Sequence, residues 1–409
     1  MRPACRFCSA PLEVTFADLG MSPLANRYLK PEQAARMEPF YPLRALVCGR
    51  CFLVQLEEFE TPQSIFSDYA YFSSYSTTWL AHAERYAAEM VQRFGLDATS
   101  RVVELASNDG YLLQFFAQRD IPVLGIEPAA NVAAVAVQKQ INTLVEFFGS
   151  ETATRLAPDS RADLLVGNNV LAHVPDINDF VAGMKILLAE GGVITMEFPH
   201  LLRLIERSQW DTIYHEHFSY LSAGAARRVF AAHGLDVFDV EELQTHGGSL
   251  RIFACHEADD SKSRSDRVEE LMGRERAAGL ERLGSYTTFR LQVQRDKRDI
   301  LRALSELKDQ DMSVVGYGAP AKGNTFLNYC GIRQDFLDYT CDASPHKQGL
   351  LLPGTHIPIS PPEAIAETHP DIVFILPWNL TDEIVGQLSY IREWGGRFLV
   401  RLPTPHLLE

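Results

Sequence analysis

The middle of the chain alternates between short apolar runs and longer segments whose apolar residues recur at helical spacing. The apolar runs predict buried strands at Val102–Leu105, Val123–Ile126, Asn142–Glu146, Leu164–Val166 and Val193–Phe198. The helical spacing predicts helices over Leu112–Gln118, Asn131–Lys139 and Asn178–Leu188. Strands that alternate with helices predict a doubly wound parallel sheet, with ligands at the carboxyl ends of its strands.

The stretch from Arg101 to Pro128 reads as strand, tight turn, helix and strand. Asn108-Asp109-Gly110 supplies the turn, and Glu127 ends the second strand. Such a turn lets the backbone approach a ligand, and such a carboxylate accepts hydrogen bonds from ribose hydroxyls. The glycine-rich dinucleotide fingerprint is absent, which favours S-adenosylmethionine (SAM) over NAD. The alternative is a strand–helix–strand unit without a ligand.

Candidate cofactor contacts follow from this geometry. They are Glu104, Ala106, Asn108, Gly110, Tyr111, Glu127 and Pro128, with Asn168 and Asn169 at the end of a later strand. His173 follows them in the string NNVLAHV. Turn and helix-cap chemistry explains Asn168, Asn169 and His173 equally well.

Two C-x2-C pairs lie near the N-terminus, Cys5 with Cys8 and Cys48 with Cys51. Four thiolates suit a tetrahedral zinc ion, and no histidine or open ligand position is implied, so we expect structural zinc. Two redox or disulfide pairs are the alternative.

Further along, an aromatic segment from Asp68 to Ser76 precedes a helical pattern. Tyr71 within it is a candidate lid residue, although such segments commonly serve packing.

Residues 210–220, WDTIYHEHFSY, concentrate groups that transfer protons. Tyr214, His215, Glu216 and His217 stand together, and an extended backbone would place the two histidines on one face. The string differs from H-E-x-x-H, so the helical zinc-protease interpretation fails. A catalytic role is our preferred hypothesis over that of ordinary polar residues.

The C-terminal part again alternates strands and helices. Strands are predicted at Ser313–Tyr317, Tyr339–Cys341, Ile372–Leu376 and Phe398–Val400. GYGAPAKG at residues 316–323 is a glycine-rich turn leading into a helix, a phosphate site in principle. Asp342 stands where a dinucleotide fold has its ribose acid. Alone, this region would indicate NAD.

Taken in order, the strings ELASNDGYLL, GIEP, NNVLAHV, YHEHFSY and GYGAPAKGNTFLNYCGI, together with the paired cysteines, resemble the sugar C-methyltransferase family. The resemblance implies structural Zn²⁺, a SAM-binding middle domain and a C-terminal domain that helps to hold a nucleotide sugar. It implies methylation of a carbon beside the ketone of a nucleotide-linked 4-keto-deoxysugar, which we expect to be dTDP-linked. Sequence alone does not exclude O-methylation.

The resemblance also implies residue roles. The second histidine of the Y-H-E-H string, His217, corresponds to the proposed base, while Tyr214, Glu216 and His173 line the same site. The resemblance also implies an active-site tyrosine in the N-terminal part, and Tyr71 is our candidate for it. The substrate contacts expected in the C-terminal domain are Gly318, Lys322, Asn324, Ser344, His346 and Lys347.

Composition sets the remaining limits. The chain has 409 residues and a formal net charge of −15, which argues against nucleic-acid binding. It has neither an apolar run long enough for a membrane span nor a signal-peptide core, so we expect a cytoplasmic protein. We separately expect a monomer or a weak homodimer. We expect a zinc module at 1–66, a methyltransferase domain at 67–255, a helical connector at 256–310 and a Rossmann-like domain at 311–409.

Two other function classes remain open at this point. A nicotinamide-dependent oxidoreductase would use the C-terminal glycine-rich turn, but it leaves the Glu104–Glu127 unit without a role. A non-enzymatic zinc-ribbon interaction protein leaves the Tyr214–His217 cluster unexplained.

Overall fold

The computed structural model describes residues 3–61 and 72–408, which divide into two compact units. The first unit comprises Met1–Leu12, Cys48–Leu201 and Phe218–Glu281. The second unit comprises Glu13–Val47, Leu202–His217 and Arg282–Glu409. The four-part division expected from the sequence remains a prediction.

The secondary-structure elements are numbered in chain order. The strands are β1 Val14–Ser22, β2 Tyr41–Val47, β3 Val54–Leu56, β4 Val102–Leu105, β5 Val123–Ile126, β6 Thr143–Leu144, β7 Ala162–Asn168, β8 Leu188–Pro199, β9 Ser219–Tyr220, β10 Leu235–Leu243, β11 Ser249–His256, β12 Val314–Tyr317, β13 Thr340–Cys341, β14 Ile359–Ser360, β15 Ile372–Ile375, β16 Arg397–Val400 and β17 His406–Leu408. The helices are α1 Thr77–Phe94, α2 Leu113–Ala117, α3 Ala130–Gln138, α4 Ser150–Ser160, α5 Ile177–Leu187, α6 Leu201–Glu206, α7 Ala223–Ala232, α8 Asp266–Ala277, α9 Leu283–Lys308, α10 Ala321–Cys330, α11 Ala364–Thr368 and α12 Thr381–Gln387.

The first unit is built on a sheet with the strand order β10-β11-β8-β7-β4-β5-β6. Strands β8, β7, β4, β5 and β6 run parallel, whereas β11 and β10 are antiparallel additions at one edge. Val102, Val103 and Leu105 of the central strand are fully buried, as strands covered on both faces require. The expected α/β class is confirmed, and the structure adds β10, which the apolar pattern did not reveal.

Helix α1 covers this sheet, and its ends follow ordinary capping chemistry. The Ser76 side chain accepts a hydrogen bond from the Trp79 N–H at the N-terminus, an interaction worth about 1 kcal/mol. Gly95 ends the helix in the left-handed conformation, with φ of 64°. Ala83 and Tyr86 on its inner face join the main core of the unit.

The second unit contains a sheet ordered β14-β13-β12-β15-β16-β17, parallel except for β17. The Rossmann-like architecture expected for the C-terminal part is therefore confirmed. The antiparallel pair β1–β2 and helix α9 belong to the same unit, and Phe16 stacks on Phe289 with ring centroids 4.7 Å apart. No helix in the described parts of the chain combines the length and the apolarity needed to cross a membrane.

Candidate active site

The four N-terminal cysteines form one cluster in the first unit. Their sulfur atoms all lie within 4.8 Å of one another, and the Cys5–Cys51 and Cys8–Cys48 sulfurs are 3.5 Å apart. A disulfide would require about 2.05 Å, whereas four sulfurs each about 2.3 Å from zinc stand about 3.8 Å apart. The hydrogen bond with Cys51 lowers the pKa of Cys5 to about 4, which favours the thiolate. The donor set therefore fits Zn²⁺.

The turn after β4 carries the predicted cofactor residues. Ala106, Asn108 and Gly110 have φ of 56°, 49° and 75°, a left-handed conformation that ordinary residues resist. The Glu127 carboxylate accepts the N–H of Asn108 at 2.9 Å and that of Ala129 at 2.8 Å. Glu127 thus fixes the turn, and its oxygens keep further lone pairs that can accept hydrogen bonds.

Buried polar groups lie behind this turn. Burial raises the pKa of Glu104 well above its usual value, partly offset by a hydrogen bond with Tyr111. The Tyr111 hydroxyl in turn accepts a hydrogen bond from the Asn168 amide at 3.3 Å. The structure therefore brings Glu104, Tyr111 and Asn168 together, and their role in a ligand site stays a prediction.

Asn169 leads to residues that the sequence analysis missed. Its amide is 3.0 Å from Nε2 of His246, and both residues have positive φ, 55° and 52°. The His246 ring lies against Trp79 at 5.1 Å. Paired strained residues beside a ligand edge are a recognised mark of functional sites. The histidine before Gly247-Gly248 was a sequence signal that could have found it.

Residues 72–76 contact the same turn. The Ser73 N–H donates to the Asn108 side chain at 2.9 Å, and the Ser74 N–H donates to Asp109 at 3.2 Å. Lys139 donates to the Ser74 hydroxyl at 2.6 Å and to the Asp109 carbonyl at 2.9 Å. The end of the aromatic segment is thus anchored on the turn after β4. Tyr71 itself lies outside the described residues.

The proton-transfer cluster belongs to the second unit. The Tyr214 and His217 rings are 4.1 Å apart, and His217 Nδ1 is 3.2 Å from the Thr212 carbonyl oxygen. His215 Nε2 is 3.2 Å from the Pro42 carbonyl oxygen, and burial lowers the pKa of that imidazole. His217 is therefore the histidine grouped with Tyr214, whereas His215 is tied to a neighbouring strand.

Glu216 has a partner that the sequence did not indicate. The Asn26 amide nitrogen is 2.8 Å from each of its carboxylate oxygens. Burial raises the pKa of Glu216 to about 7, and the Asn26 hydrogen bonds offset part of that shift. This carboxyl group can therefore change protonation near neutral pH. Asn26 lies between β1 and β2 and shows no catalytic pattern in the sequence.

The glycine-rich turn after β12 is closed by Asp342. Its carboxylate accepts the N–H of Ala319 at 2.7 Å and that of Ser344 at 2.9 Å. Lys347 donates to the Ala319 carbonyl at 2.9 Å and is 3.4 Å from Asp342. The Tyr28 hydroxyl donates to the same carbonyl at 2.5 Å. Tyr28 is a further residue missed from the sequence.

The other predicted substrate residues are placed as follows. Gly318 has φ of 90°, and a Cβ there would stand 2.5 Å from Pro377 Cδ. Lys322 donates to the Asn379 side chain, and burial lowers its pKa to about 8. Asn324 is buried and donates to the Ala25 carbonyl at 2.6 Å. Ser344 is half-buried and His346 is exposed.

The predicted residues therefore fall into two groups. Glu104, Ala106, Asn108, Gly110, Tyr111, Glu127, Pro128, Asn168, Asn169 and His173 belong to the first unit. Tyr214, Glu216, His217 and the C-terminal substrate candidates belong to the second. His173 ends a 3-10 turn, Leu171–His173, that follows β7.

Comparisons with known proteins define the class. Family models match a zinc binding domain at residues 5–66, a methyltransferase domain at 79–240 and a C-methyltransferase C-terminal domain at 244–403. The protein is a methyltransferase that uses SAM and binds zinc.

A full-length relative narrows this class. The C-methyltransferase NovU of Streptomyces niveus is 35% identical over 406 residues, which is 99% of this chain and 96% of NovU. This chain therefore belongs to the SAM-dependent C-methyltransferase family.

More distant matches cover only part of the chain. A ubiquinone biosynthesis O-methyltransferase of Rhodopseudomonas palustris is 25% identical over 97 residues, 24% of this chain and 38% of that protein. The magnesium protoporphyrin IX methyltransferase of Synechocystis with bound SAM is 15% identical, with a TM-score of 0.33 over 43% of this chain and 78% of that one. The comparisons give no support to the oxidoreductase alternative.

Proposed function

We propose that this C-methyltransferase acts on a nucleotide-linked 4-keto-deoxysugar, expected to be dTDP-linked, and methylates the carbon beside the ketone. The observation that carries the proposal is the pairing of His217 with Tyr214 in a C-methyltransferase. A carbon beside a ketone is acidic enough to lose a proton to a well-placed imidazole, which is the chemistry such a pair supplies.

The reaction balances with these groups. His217 takes the proton from the carbon, and the electron pair of that bond passes to the ketone oxygen as an enolate. Tyr214 or His173 is the donor that we assign to the enolate oxygen, and hydrogen bonds aimed at developing charge are the strongest general contribution to such steps. SAM, when bound, would supply the electrophilic methyl group to the enolate carbon, and the electron pair of the broken methyl–sulfur bond would stay on its sulfur.

The binding roles extend this proposal. We assign the turn after β4 with Glu127 to SAM, and Tyr71, outside the described residues, stays our proposed lid residue. We assign the glycine-rich turn after β12 to the nucleotide phosphates, with Lys347 as the charge partner nearest the turn. The domain divisions that we propose are a zinc module at 1–66, a methyltransferase domain at 67–255, a helical connector at 256–310 and a Rossmann-like domain at 311–409.

The test is mass spectrometry of the protein incubated with SAM and a panel of nucleotide 4-keto-deoxysugars in heavy water. With SAM present, we expect the sugar to gain the mass of one methyl group. With SAM withheld, we expect deuterium to enter at the carbon beside the ketone. A His217→Gln variant should slow the exchange by about 100-fold or more, the usual contribution of a general base.

His215→Gln is the matched control, two residues away. Its imidazole is tied to the Pro42 carbonyl, so we expect the exchange rate to stay within about threefold of wild type. Equal losses in both variants would contradict the base assignment. Methylation on oxygen without exchange at carbon would contradict the proposed reaction.

A further inference from the structure

The protonation pattern of the His217 ring is set by a backbone carbonyl. Nδ1 of His217 lies 3.2 Å from the carbonyl oxygen of Thr212. A carbonyl oxygen can only accept a hydrogen bond, so Nδ1 carries the proton and Nε2 is the basic nitrogen in the neutral ring. The direction of the Thr212 carbonyl therefore selects the tautomer in which Nε2 can act as the base.

Thr212 ends a short 3-10 turn, Trp210–Thr212, that is held in the interior of the unit. The Thr212 N–H and hydroxyl both donate to the Gln209 carbonyl, at 3.1 and 2.7 Å. Trp210 is fully buried, and Asp211 is 1% exposed. The turn is thus fixed locally, but its orientation depends on the partners of the buried Asp211 carboxylate.

Two residues at the carboxyl ends of adjacent parallel strands bind the Asp211 carboxylate. The indole N–H of Trp378, which follows β15, donates to its Oδ2 at 2.8 Å. The guanidinium of Arg401, which follows β16, forms an ion pair with its Oδ1 at 2.7 Å. Arg401 also donates to the Ser208 carbonyl at 3.2 Å, just before the turn.

Further cationic contacts surround this ion pair. The Arg401 guanidinium lies over the Trp210 ring at 4.9 Å, and the Lys322 ammonium lies over the Trp378 ring at 4.2 Å. Buried ion pairs of this kind contribute little net stability compared with apolar packing, and their best-attested value is to fix one arrangement. The network therefore suits a role in geometry rather than in stability.

We propose that Asp211, bound by Trp378 and Arg401, is a positioning residue. It orients the Thr212 carbonyl toward Nδ1 of His217 and thereby stabilises the tautomer in which Nε2 accepts the substrate proton. The proposal rests on the function proposed above. The C-terminal sheet then has a second role. The carboxyl ends of its strands, where a Rossmann-like sheet commonly binds a ligand, here bind the segment that contains His217.

The test removes one hydrogen bond while retaining the ring. Trp378→Phe deletes the N–H to Asp211 and keeps an aromatic face for Lys322. Trp394→Phe is the matched control, because that indole N–H donates to the Pro370 carbonyl at 3.0 Å in the same unit. We expect Trp378→Phe to lower kcat for deuterium exchange about tenfold with KM within about twofold, and Trp394→Phe to change neither by more than about twofold.

Asp211→Asn is the second variant, since it keeps an acceptor for Trp378 but removes the charge opposite Arg401. It should also lower kcat more than it raises KM. Equal effects of Trp378→Phe and Trp394→Phe, or an unchanged kcat in both Trp378→Phe and Asp211→Asn, would overturn the proposal, because either result would show a purely structural role or none.

A spectroscopic readout separates this proposal from the proposed function. In ¹⁵N-labelled protein, the His217 ring, assigned by its loss in His217→Gln, should show a protonated Nδ1 and an unprotonated Nε2. In Trp378→Phe the two tautomers should mix. Exchange activity with the proton on Nε2 would overturn the positioning role alone. The expected tautomer with no exchange on any sugar would instead overturn the proposed function.

Discussion

The two Rossmann-like sheets build the same local device at their first turns. In the first unit, Glu127 accepts the N–H of Asn108 and that of Ala129, two residues beyond itself. In the second unit, Asp342 accepts the N–H of Ala319 and that of Ser344, again two residues beyond itself. In both, an acid at the end of the second strand grips the turn that follows the first strand.

The two turns differ in what closes over them. Lys139 joins the first turn to Ser74, so the closing element is a segment that precedes the sheet. Lys347 and Tyr28 both donate to the Ala319 carbonyl of the second turn. A glycine-rich string and a following acid therefore identify the device but not its ligand, which explains why the C-terminal turn alone resembled an NAD site.

The largest expected effect comes from removing the acid of the first turn. Glu127→Ala deletes a carboxylate assigned to two ribose hydroxyls, and each charge-assisted hydrogen bond is worth about 1.5–3 kcal/mol. We expect the Kd for SAM to rise by at least about 100-fold, a loss of about 2.7 kcal/mol or more. Isothermal titration calorimetry with SAM measures this change.

Asp342→Ala is the counterpart in the second turn, and we expect its Kd for SAM to stay within about twofold of wild type. Glu190→Ala, at an exposed position of β8 in the first unit, controls for charge removal. If Asp342→Ala weakened SAM as strongly as Glu127→Ala, the assignment of SAM to the first turn would fail.

Lys347 at the second turn and Lys139 at the first turn give the next-largest expected effects. Lys347→Gln removes the cation beside the second turn, so we expect KM for the nucleotide sugar to rise about tenfold with the Kd for SAM unchanged. A tenfold change corresponds to about 1.4 kcal/mol, the size of one phosphate contact at a partly exposed site. Steady-state kinetics with varied sugar concentration measures it.

Lys139→Gln is the matched variant at the first turn. It breaks the contacts with Ser74 and Asp109, so we expect a weaker SAM affinity and an unchanged KM for the sugar. If both variants affected the same ligand, the two turns would not serve different ligands.

Much of this device could be predicted from the sequence because its signals are local. A buried strand, Asn108-Asp109-Gly110 and Glu127 lie within one short stretch, and each residue type matches the backbone or partner that it meets. Gly125 belongs to the same pattern, because a Cβ there would stand 2.4 Å from the Ser107 hydroxyl. The spacing of the paired cysteines was equally informative.

The rest could not be predicted because its partners are far apart in the chain. Asn324 binds the Ala25 carbonyl across 299 positions, and Asn26 binds Glu216 across 190. Asp211 meets Trp378 across 167 positions. No periodicity or motif spacing encodes such pairs, so the assembly of residues 13–47 and 202–217 with the C-terminal sheet became visible only in the structure.

Glu127 and Glu216 provide a second contrast, between two buried carboxyl groups. Burial raises the pKa of both, and backbone N–H groups of Ala129 and Asn108 oppose the shift for Glu127. For Glu216 the opposing donor is the Asn26 amide, and its pKa reaches about 7. The folded state therefore holds a proton on Glu216 that an unfolded chain releases near pH 4.5.

The smallest expected effect follows from that difference. Because the folded pKa of Glu216 is raised, the folded state binds more protons than the unfolded state between about pH 4.5 and 7, so the group makes stability fall as pH rises through that window. Glu216→Gln removes the titration and keeps a side chain that can pair with Asn26. From pH 6 to pH 7 the wild type should lose about 1 kcal/mol of unfolding free energy that Glu216→Gln keeps. Urea denaturation of both proteins at both pH values measures this difference. Parallel pH curves for wild type and Glu216→Gln would mean that Glu216 is already ionised at pH 6.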